Sequence, residues 1–386
     1  MKITVICDVL GKENNGLTIA AMNLIRYLKE QKHDVKVVCG DEDRRKEPGF
    51  YVVKNRDFGV FNDYLAKNGV SLAKPEKDVL YDAIRGADVV HIMLPFSLGR
   101  ASVKIAHELG IPVCAGFHLL AENFSAHLSM DNFRLLNRLT YAYFHKMYKQ
   151  CDCTHYVTQY LRDLYEGMYG STHGYVISNG VNEIFKPSYT KFNPQDKIKI
   201  LYTGRYSKEK SHGVLIKAVE LSKYKDKIQL IFAGSGPLKE KLEKQCENLP
   251  VKPIFAFFTR EEMAKTDNSA YLYVHAAEIE AEGIGCLEAI ACGVVPIISD
   301  SKKSATKNYA IDERSLFRCN DPQDLANKID WWIEHTDERA KYSEKYLQMA
   351  QDKFDHIKCM QEMEKMLIET ARNNPYKRSE NGKIAE

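Results

Sequence analysis

The sequence predicts an α/β protein with two doubly wound parallel sheets. At 386 residues the chain is too long for one hydrophobic core and fits two domains of ordinary size. Short apolar segments alternate with helical segments in both halves, which is typical of parallel sheets covered by helices on both faces. A polar segment at residues 185–197, with Pro187 and Pro194, separates the two halves.

The first half predicts an N-terminal domain over residues 1–187. Apolar, β-branched runs predict strands at residues 3–7, 34–39, 51–53, 88–93, 112–117 and 174–178, with one more before Thr158. Apolar residues at helical spacing predict helices at residues 17–29, 79–85, 102–109, 132–149 and 161–168.

The second half repeats the scheme and predicts a C-terminal domain over residues 188–360. Strands are predicted at residues 198–203, 228–233, 253–257, 271–274 and 294–299. Helices are predicted at residues 214–221, 238–249, 323–334 and 340–372, with a short one around Glu288. Residues 361–386 form a separate final segment, a helix followed by a polar tail.

Composition excludes some functional classes. The formal net charge is only +3, from 55 basic and 52 acidic residues, so nothing indicates a nucleic-acid partner. The ten cysteines are scattered, and the close pair Cys151 and Cys153 is neither a redox CxxC motif nor a zinc half-site. We therefore expect reduced thiols and a cytoplasmic protein. Because Met1 and Lys2 run directly into the first strand, and because apolar runs are short, we expect neither a signal peptide nor a spanning helix.

The most informative segment is residues 271–300, YLYVHAAEIEAEGIGCLEAIACGVVPIISD. It predicts a buried strand, a loop that carries Glu280, a turn with two glycines, a short helix that carries Glu288 and a further strand. Ligands of open α/β sheets lie beyond the carboxyl ends of the strands, so we expect the ligand at this loop.

The glycine turn favours an anion site. Gly283, Ile284 and Gly285 would bring backbone N–H groups to the start of a helix. A carboxylate at Glu280 would repel a phosphate, so we expect it to face an uncharged part of the ligand, such as sugar hydroxyls. Glu288, two helical turns later, could accept hydrogen bonds from a ribose. The alternative is that both glutamates are solvated residues of an ordinary α/β domain.

Together, the flanking strands, the GIG turn and the continuation EAIACGVVPIISD resemble the signature of family 4 glycosyltransferases. These are retaining enzymes of the GT-B fold that transfer a sugar from a nucleotide diphosphate sugar. The resemblance implies two Rossmann-like domains with a cleft between them, and a last helix that crosses back to the first domain. It also implies a UDP-sugar donor and no requirement for a metal or another cofactor.

The segment LYTGRYSKEKSHG places Arg205 and Lys210 just after the strand predicted at 198–203. Two cations and the N–H groups of a helix can balance the charge of a diphosphate leaving group without a metal. The GRxxxEK pattern stands at the diphosphate site of the resembling family, which implies this role for Arg205 and Lys210. A solvent-facing basic loop is the alternative.

His118 follows the strand predicted at 112–117, so it should lie at the carboxyl end of that strand. A neutral imidazole there could hydrogen-bond a sugar hydroxyl or the acceptor. The resemblance implies a sugar contact and not a general base, because the leaving phosphate is thought to take the acceptor proton. We expect Glu122 and Asn123 on the acceptor side as well.

Three further glycines are candidates for donor binding. Gly16 follows Asn14 and Asn15 at a predicted helix start, where it would let the backbone approach a sugar phosphate or the acceptor. Gly234 and Gly236 follow the strand predicted at 228–233 and could bracket the nucleotide base, or could form a plain connection.

The segment GFHLLAENFSAHLSM resembles the subgroup that glycosylates diacylglycerol or ceramide at the cytoplasmic face of a membrane. Residues 132–150 support a membrane face because they carry four cations and no acidic residue: Arg134, Arg138, Lys146 and Lys149. Apolar residues recur there near helical spacing: Leu135, Leu136, Leu139, Tyr143, Phe144 and Met147. The alternative is that these apolar residues pack inward.

We therefore predict a bacterial α-glycosyltransferase with His118, Arg205, Lys210 and Glu280 as the residues of the reaction. It would move a hexose from UDP-glucose or UDP-galactose to a lipid hydroxyl, at the inner face of the cell membrane. A polysaccharide or small-molecule acceptor is the main alternative. An NAD-dependent oxidoreductase would need a GxGxxG fingerprint that the first helix start lacks. A nucleotide-sugar-binding protein without turnover would share only the donor site.

Overall fold

The computed structural model describes residues 1–8, 10, 11, 16–57, 59, 72–123, 134–188 and 197–376. The chain divides into two compact units, and each is described below only through the residues just given. The first combines Met1–Ala121, Phe133–Ile177 and Met360–Glu386, and the second combines Ser178–Cys359 with Glu122–Asn132.

The first unit is built on a seven-stranded parallel sheet. Its strands are β1 (Lys2–Ile6), β2 (Asp34–Cys39), β3 (Phe50–Val52), β4 (Val89–Ile92), β5 (Val113–Phe117), β6 (Cys153–Tyr156) and β7 (Gly174–Val176). Their order in the sheet is β3-β2-β1-β4-β5-β6-β7. The helices are α1 (Gly16–Glu30), α2 (Lys77–Ile84), α3 (Ser97–Glu108), α4 (Arg134–Tyr148) and α5 (Gln159–Tyr169). The central strands are buried on both faces, which is why they read as continuous apolar runs.

The second unit carries a six-stranded parallel sheet and a small two-stranded one. The main strands are β8 (Ile198–Thr203), β9 (Ile228–Ala233), β10 (Ile254–Ala256), β11 (Leu272–His275), β13 (Pro296–Ser299) and β15 (Leu316–Phe317), in the order β10-β9-β8-β11-β13-β15. The small sheet pairs β12 (Ile279–Glu280) with β14 (Lys303–Ser304). The helices are α6 (His212–Leu221), α7 (Lys239–Gln245), α8 (Arg260–Ser269), α9 (Ile284–Ala291), α10 (Pro322–Glu334) and α11 (Thr336–Lys353).

Both sheets reverse their strand order at one place, which confirms the predicted fold class of two doubly wound α/β domains. In the second unit this switch lies between β8 and β11, where Leu272 pairs with Ile200 and Tyr273 with Leu201. Chains leave the two strands in opposite directions at such a point, which opens a crevice beyond their carboxyl ends. The loops after β8 and β11 therefore border the expected ligand site.

The helix predicted at residues 340–372 is in fact two helices. It ends at Lys353, and α12 (His356–Arg372) begins after a break at Phe354 and Asp355. The segment at Gly180 and Val181 packs against this break. The Val181 N–H donates to the Phe354 carbonyl at 2.8 Å. A Cβ on Gly180 would lie only 2.9 Å from the Cα of His356. A distant part of the chain therefore packs at the break, and the Asp355 side chain caps α12 by accepting from the Lys358 N–H at 2.9 Å.

Helix α8 was not predicted, although its start carries a recognisable signal. The Thr259 side chain accepts a hydrogen bond from the Glu262 N–H, and the Glu262 side chain accepts one from the Thr259 N–H. This reciprocal capping box begins a helix whose interior is too polar for an apolar periodicity to stand out.

Candidate active site

The candidate site of the second unit is centred on an ion pair between Lys210 and Glu280. Lys210 ends the short 3₁₀ turn Lys208–Lys210 after β8, and Glu280 ends β12. The Lys210 ammonium contacts the Glu280 carboxylate, and the two side chains are only 17% and 15% exposed. The predicted cation and the predicted acid thus meet directly, although they are 70 positions apart in the sequence.

Both members of this pair are charged. Burial alone would raise the pKa of Glu280, but Lys210 and His275 beside it lower that pKa to about 2. For Lys210 burial acts to lower the pKa, and the Glu280 charge outweighs it, so the net shift is upward. A half-buried ion pair held in this way is a polar site prepared for a charged ligand.

The turn that carries Lys210 is held by contacts with its neighbours. The Tyr202 hydroxyl donates to the Lys210 carbonyl. The Glu278 N–H donates to the Glu209 carbonyl at 2.8 Å, which ties the loop before Glu280 to the turn before Lys210. Arg205 lies half-buried in the same loop, and its carbonyl accepts from the Ser207 N–H at 2.9 Å.

The two glycines at the start of α9 are required by close packing. Gly283 adopts a left-handed φ of 78°, and a Cβ there would lie 2.4 Å from a methyl carbon of Thr306. A Cβ on Gly285 would lie 2.0 Å from the Thr203 hydroxyl oxygen. Any side chain would therefore push α9 away from β8. The backbone N–H groups of residues 283–285 stay at the helix start, with Ile284 half-buried between the glycines.

Glu288 lies in a different environment from Glu280. It is buried within α9, and its carboxylate is 3.8 Å from the Arg260 guanidinium. Burial raises the pKa of Glu288 to about 7, although Arg260 acts in the opposite direction. A carboxyl group with such a pKa can accept or donate a hydrogen bond near neutral pH. Arg260 was not predicted, because it belongs to the helix that the sequence pattern did not reveal.

Gly234 and Gly236 allow two loops of the second unit to pack together. A Cβ on Gly234 would lie 2.0 Å from the Gly204 carbonyl oxygen, and one on Gly236 would lie 2.6 Å from the Tyr206 nitrogen. The Tyr206 N–H donates to the Ser235 carbonyl at 2.9 Å. These contacts hold the loop that carries Arg205.

Two functional candidates were missed because they have no motif. His275, at the end of β11, is 2% exposed and its Nε2 lies 3.3 Å from the same Glu280 oxygen that Lys210 contacts. Glu282 is buried and accepts hydrogen bonds from the Ser178 hydroxyl at 2.7 Å, the Asn179 N–H at 2.9 Å and the Asn179 side-chain amide. Burial raises the pKa of Glu282 to about 7, although these hydrogen bonds act to lower it.

In the first unit, His118 lies at the carboxyl end of β5, as its position after Phe117 predicts. Its ring folds back over Gly116, where a Cβ would lie 2.2 Å from Nε2. Within the described residues this Nε2 is buried and has no hydrogen-bond partner. Burial and the nearby His155 and His91 hold the pKa of His118 well below its usual range.

The remaining candidate residues are half-buried or exposed. Glu122 and Asn123 belong to a helical turn at residues 121–123 and are half-buried. Gly16 is exposed at the start of α1, while Asn14 and Asn15 lie outside the described residues.

Helix α4 buries one face and exposes another. Six apolar residues were predicted for a membrane face. For Phe144 and Met147 this prediction is wrong, since their side chains are 2% and 0% exposed and pack in the core. Leu135, Leu139 and Tyr143, spaced by four residues, are exposed. The four cations are also exposed: Arg134, Arg138, Lys146 and Lys149.

The residues that the structure describes hold neither a metal-binding cluster nor a membrane-spanning helix. These residues contain no cluster of three or more histidine, cysteine, aspartate or glutamate side chains able to hold a metal ion. None of their helices combines the length and the apolar character needed to cross a membrane.

Comparison with known proteins assigns both halves of the chain. The family described as Glycosyltransferase Family 4 matches residues 14–184, and the family described as Glycosyl transferases group 1 matches residues 187–349. The Streptococcus pneumoniae alpha-monoglucosyldiacylglycerol synthase is 26% identical over 322 residues, which cover 78% of this chain and 71% of that protein. The Mycolicibacterium smegmatis GDP-mannose-dependent alpha-mannosyltransferase is 24% identical over 317 residues, which cover 78% of this chain and 80% of that protein.

Among solved structures, Anabaena Alr3699/HepE in complex with UDP has a TM-score of 0.74 at 15% identity, covering 96% of this chain and 100% of that one. At this identity the likeness supports the fold alone. The first match covers β2 to β7 and the second covers β8 to β15, and together they exclude the oxidoreductase alternative. The chain therefore belongs to the family 4 and group 1 glycosyltransferases of the GT-B fold.

Proposed function

We propose that this glycosyltransferase moves a hexose from a UDP-sugar to a hydroxyl group of a membrane lipid, with retention and an α linkage. The observation that carries the donor half is the charged Lys210 and Glu280 pair at the carboxyl ends of the second-unit strands. A nucleoside diphosphate sugar combines an anion with an uncharged polyol, and a cation beside an acid suits both parts.

In this proposal Lys210, Arg205 and the N–H groups of residues 283–285 balance the charge that grows on the diphosphate as it leaves. Glu280 accepts hydrogen bonds from the hydroxyls of the hexose, and Glu288 those of the ribose. With these cations in place, we propose that no metal is required.

The reaction breaks the bond between the anomeric carbon and the diphosphate oxygen. The acceptor oxygen forms a new bond to the anomeric carbon on the same face, and the leaving diphosphate takes the acceptor proton. His118 would hydrogen-bond the acceptor or the sugar as a neutral imidazole, with Glu122 and Asn123 near the acceptor.

A lipid acceptor is supported by the Streptococcus pneumoniae relative, which is named alpha-monoglucosyldiacylglycerol synthase. It is also supported by the exposed face of α4, where Leu135, Leu139 and Tyr143 lie among cations and no acidic residue occurs between Arg134 and Tyr148. The Arg100 guanidinium stacks on the Tyr143 ring at 4.9 Å and adds a fifth cation to this face. Such a face suits an anionic leaflet.

We further propose a peripheral enzyme at the cytoplasmic face of the membrane. All ten cysteines lie in described residues and all are free thiols, eight of them buried, which suits a reducing compartment.

The test uses the purified full chain with UDP-glucose, UDP-galactose or GDP-mannose and with vesicles that contain diacylglycerol or ceramide. We expect UDP release only with a UDP-hexose and a lipid product whose linkage NMR identifies as α. GDP-mannose is included because a mannosyltransferase of this family uses it. Transfer from GDP-mannose alone, or only to a soluble acceptor, would contradict the corresponding half of the proposal.

A matched pair of lysine variants tests the donor site. Lys210→Ala should abolish transfer, whereas Lys217→Ala, on the exposed face of α6 and 59% exposed, should leave it intact. Equal activity of the two variants would contradict the role of Lys210.

A further inference from the structure

The donor site contains a continuous polar chain behind Glu280 that the glycosyltransferase assignment does not use. The Thr203 hydroxyl lies 2.8 Å from the Tyr273 hydroxyl, which lies 3.3 Å from Nδ1 of His275. Nε2 of His275 then lies 3.3 Å from an oxygen of Glu280. The chain runs from the last residue of β8, through two inward-facing residues of β11, to the acid at the end of β12.

The direction of this chain follows from the charge of Glu280. An ionised carboxylate only accepts hydrogen bonds, so Nε2 of His275 must carry the proton and Nδ1 must accept from the Tyr273 hydroxyl. The Tyr273 hydroxyl in turn accepts from Thr203. Burial lowers the pKa of His275, although the Glu280 carboxylate acts to raise it. The imidazole is therefore neutral near pH 7. Its tautomer is therefore set by its two neighbours.

The contact between His275 and Glu280 is close but not yet well aligned. At 3.3 Å the Nε2 atom is buried, yet it lacks the geometry of a full hydrogen bond. The same Glu280 oxygen is taken by Lys210. Catalytic hydrogen bonds are often poorly aligned without ligand and tighten in the complex.

A donor diphosphate would compete with Glu280 for Lys210. The carboxylate is 15% exposed, so it would be left without its counter-charge inside the protein if nothing else held it. Besides Glu280, the charged and titratable groups near His275 are Lys210, Tyr202, Tyr273 and His212. His275 itself is a neutral donor whose Nε2 already lies 3.3 Å from the Glu280 oxygen that Lys210 contacts.

We propose that His275 is the positioning residue of the donor site. When Lys210 turns to the diphosphate, the His275 N–H replaces it as the hydrogen-bond donor to the Glu280 carboxylate. This hydrogen bond holds the carboxylate towards the hexose hydroxyls. Tyr273 and Thr203 keep the imidazole in the tautomer that donates. This inference rests on the proposed function, because it assigns the hexose to Glu280.

The test compares His275→Phe, His275→Gln and Tyr273→Phe with the parent enzyme, by binding of UDP and UDP-hexose and by steady-state turnover. Phe keeps the ring volume without an N–H, and Gln keeps a donor. We expect His275→Phe to weaken UDP-hexose binding and kcat/KM about tenfold with UDP binding unchanged, and Gln to recover most of this loss. Tyr273→Phe should cost about threefold in the same measurements.

The outcomes separate this inference from the proposed function. A parent enzyme that neither binds UDP nor releases it from any UDP-hexose contradicts the proposed function. An active parent whose His275→Phe variant matches it, or loses UDP and UDP-hexose binding equally, overturns the positioning role alone. If His275→Phe does not fold, as judged by its thermal transition, the Gln and Tyr273→Phe variants decide. A Tyr273→Phe variant equal to the parent then overturns the inference.

Discussion

The carboxyl ends of the strands differ in kind between the two units. In the first unit, histidines stand on or after three neighbouring strands: the buried His91 on β4, the half-buried His118 after β5 and the buried His155 on β6. The His118 and His155 rings are 5.4 Å apart, and the His91 and His155 rings are 6.2 Å apart. Burial lowers the pKa of His91 to about 3 and that of His155 to about 4. All three imidazoles are therefore neutral at pH 7.

In the second unit the corresponding strand ends keep their charges. Lys210 and Glu280 neutralise one another, and His275 supports the acid. Even the buried acid after β1 of the first unit, Asp8, has its pKa raised to about 7 by burial. Burial thus suppresses charge on His91, His118 and His155 in the first unit, while pairing preserves it on Lys210 and Glu280 in the second. A neutral site suits a hydroxyl acceptor, and a charged site suits a nucleotide diphosphate.

The largest expected effect comes from removing the acid of the charged site. Glu280→Ala should lower kcat/KM about 10²- to 10³-fold, because it removes the hexose contact and leaves Lys210 unpaired. The matched control is Glu278→Ala, whose side chain pairs with Lys303 at 3.1 Å outside this pair. Release of UDP from UDP-hexose measures both, and comparable losses in the two variants would contradict the special role of Glu280.

The second prediction concerns Glu282, a buried acid of the same unit whose described partners, Ser178 and Asn179, are uncharged. Burial raises the pKa of Glu282 to about 7, above its ordinary value of 4.5, so the folded state holds its proton more tightly than the unfolded state. The protein should therefore lose stability as the pH rises from about 4.5 through 7, by about 2–3 kcal/mol for this group. Glu282→Gln should remove that loss, and its stability relative to the parent should increase over this window.

Tryptophan fluorescence measures this directly, since the chain has two tryptophans, Trp331 and Trp332, both on α10 of the second unit. Denaturant unfolding at several pH values gives the difference between variant and parent. A difference that does not change with pH would contradict this prediction, because it would show that Glu282 has the same pKa in the folded and the unfolded state.

The third prediction tests whether the exposed face of α4 binds an anionic leaflet. Arg134→Gln with Arg138→Gln removes two cations and should weaken vesicle binding by about 2 kcal/mol, or about 30-fold. Co-sedimentation with vesicles of increasing phosphatidylserine content measures this. The control double variant Lys341→Gln and Lys345→Gln alters α11 in the second unit and should bind as the parent does.

The smallest effect is expected at the neutral site of the first unit. His118→Ala should lower kcat/KM about tenfold while UDP binding is unchanged, because a neutral hydrogen bond contributes about 1 kcal/mol. His118→Gln should lose less. A loss of UDP binding in His118→Ala would break the division into a neutral and a charged site.

Much of the architecture follows from local patterns. Apolar runs of four to six residues predicted the central strands, since a parallel strand is buried on both faces. The GRxxxEK and glycine segments predicted that Lys210 and Glu280 belong to one site, because strand ends of one sheet share an edge. Helix α8 was missed, although Thr259 and Glu262 at its start are a signal that a search for capping boxes would have found.

Other features were decided only by contacts between distant parts of the chain. The packing of Gly180 and Val181 against the break after Lys353 is one such contact, although Asp355 also marks the start of α12 locally, since its side chain accepts from the Lys358 N–H at 2.9 Å. The exposed side of α4 is likewise a tertiary result, since Phe144 and Met147 have the same apolar character as Leu135 and Leu139.

The amino-acid sequence by itself determined the two parallel sheets and the segments that carry the donor site, since these depend on periodicity and on residues close in sequence. Only the tertiary structure decided the protonation of the acids and histidines and the partner of each. The pKa of a side chain depends on its burial and on charges from other strands. The pairing of Lys210 with Glu280, and of Glu280 with His275, exists only once β8, β11 and β12 have come together.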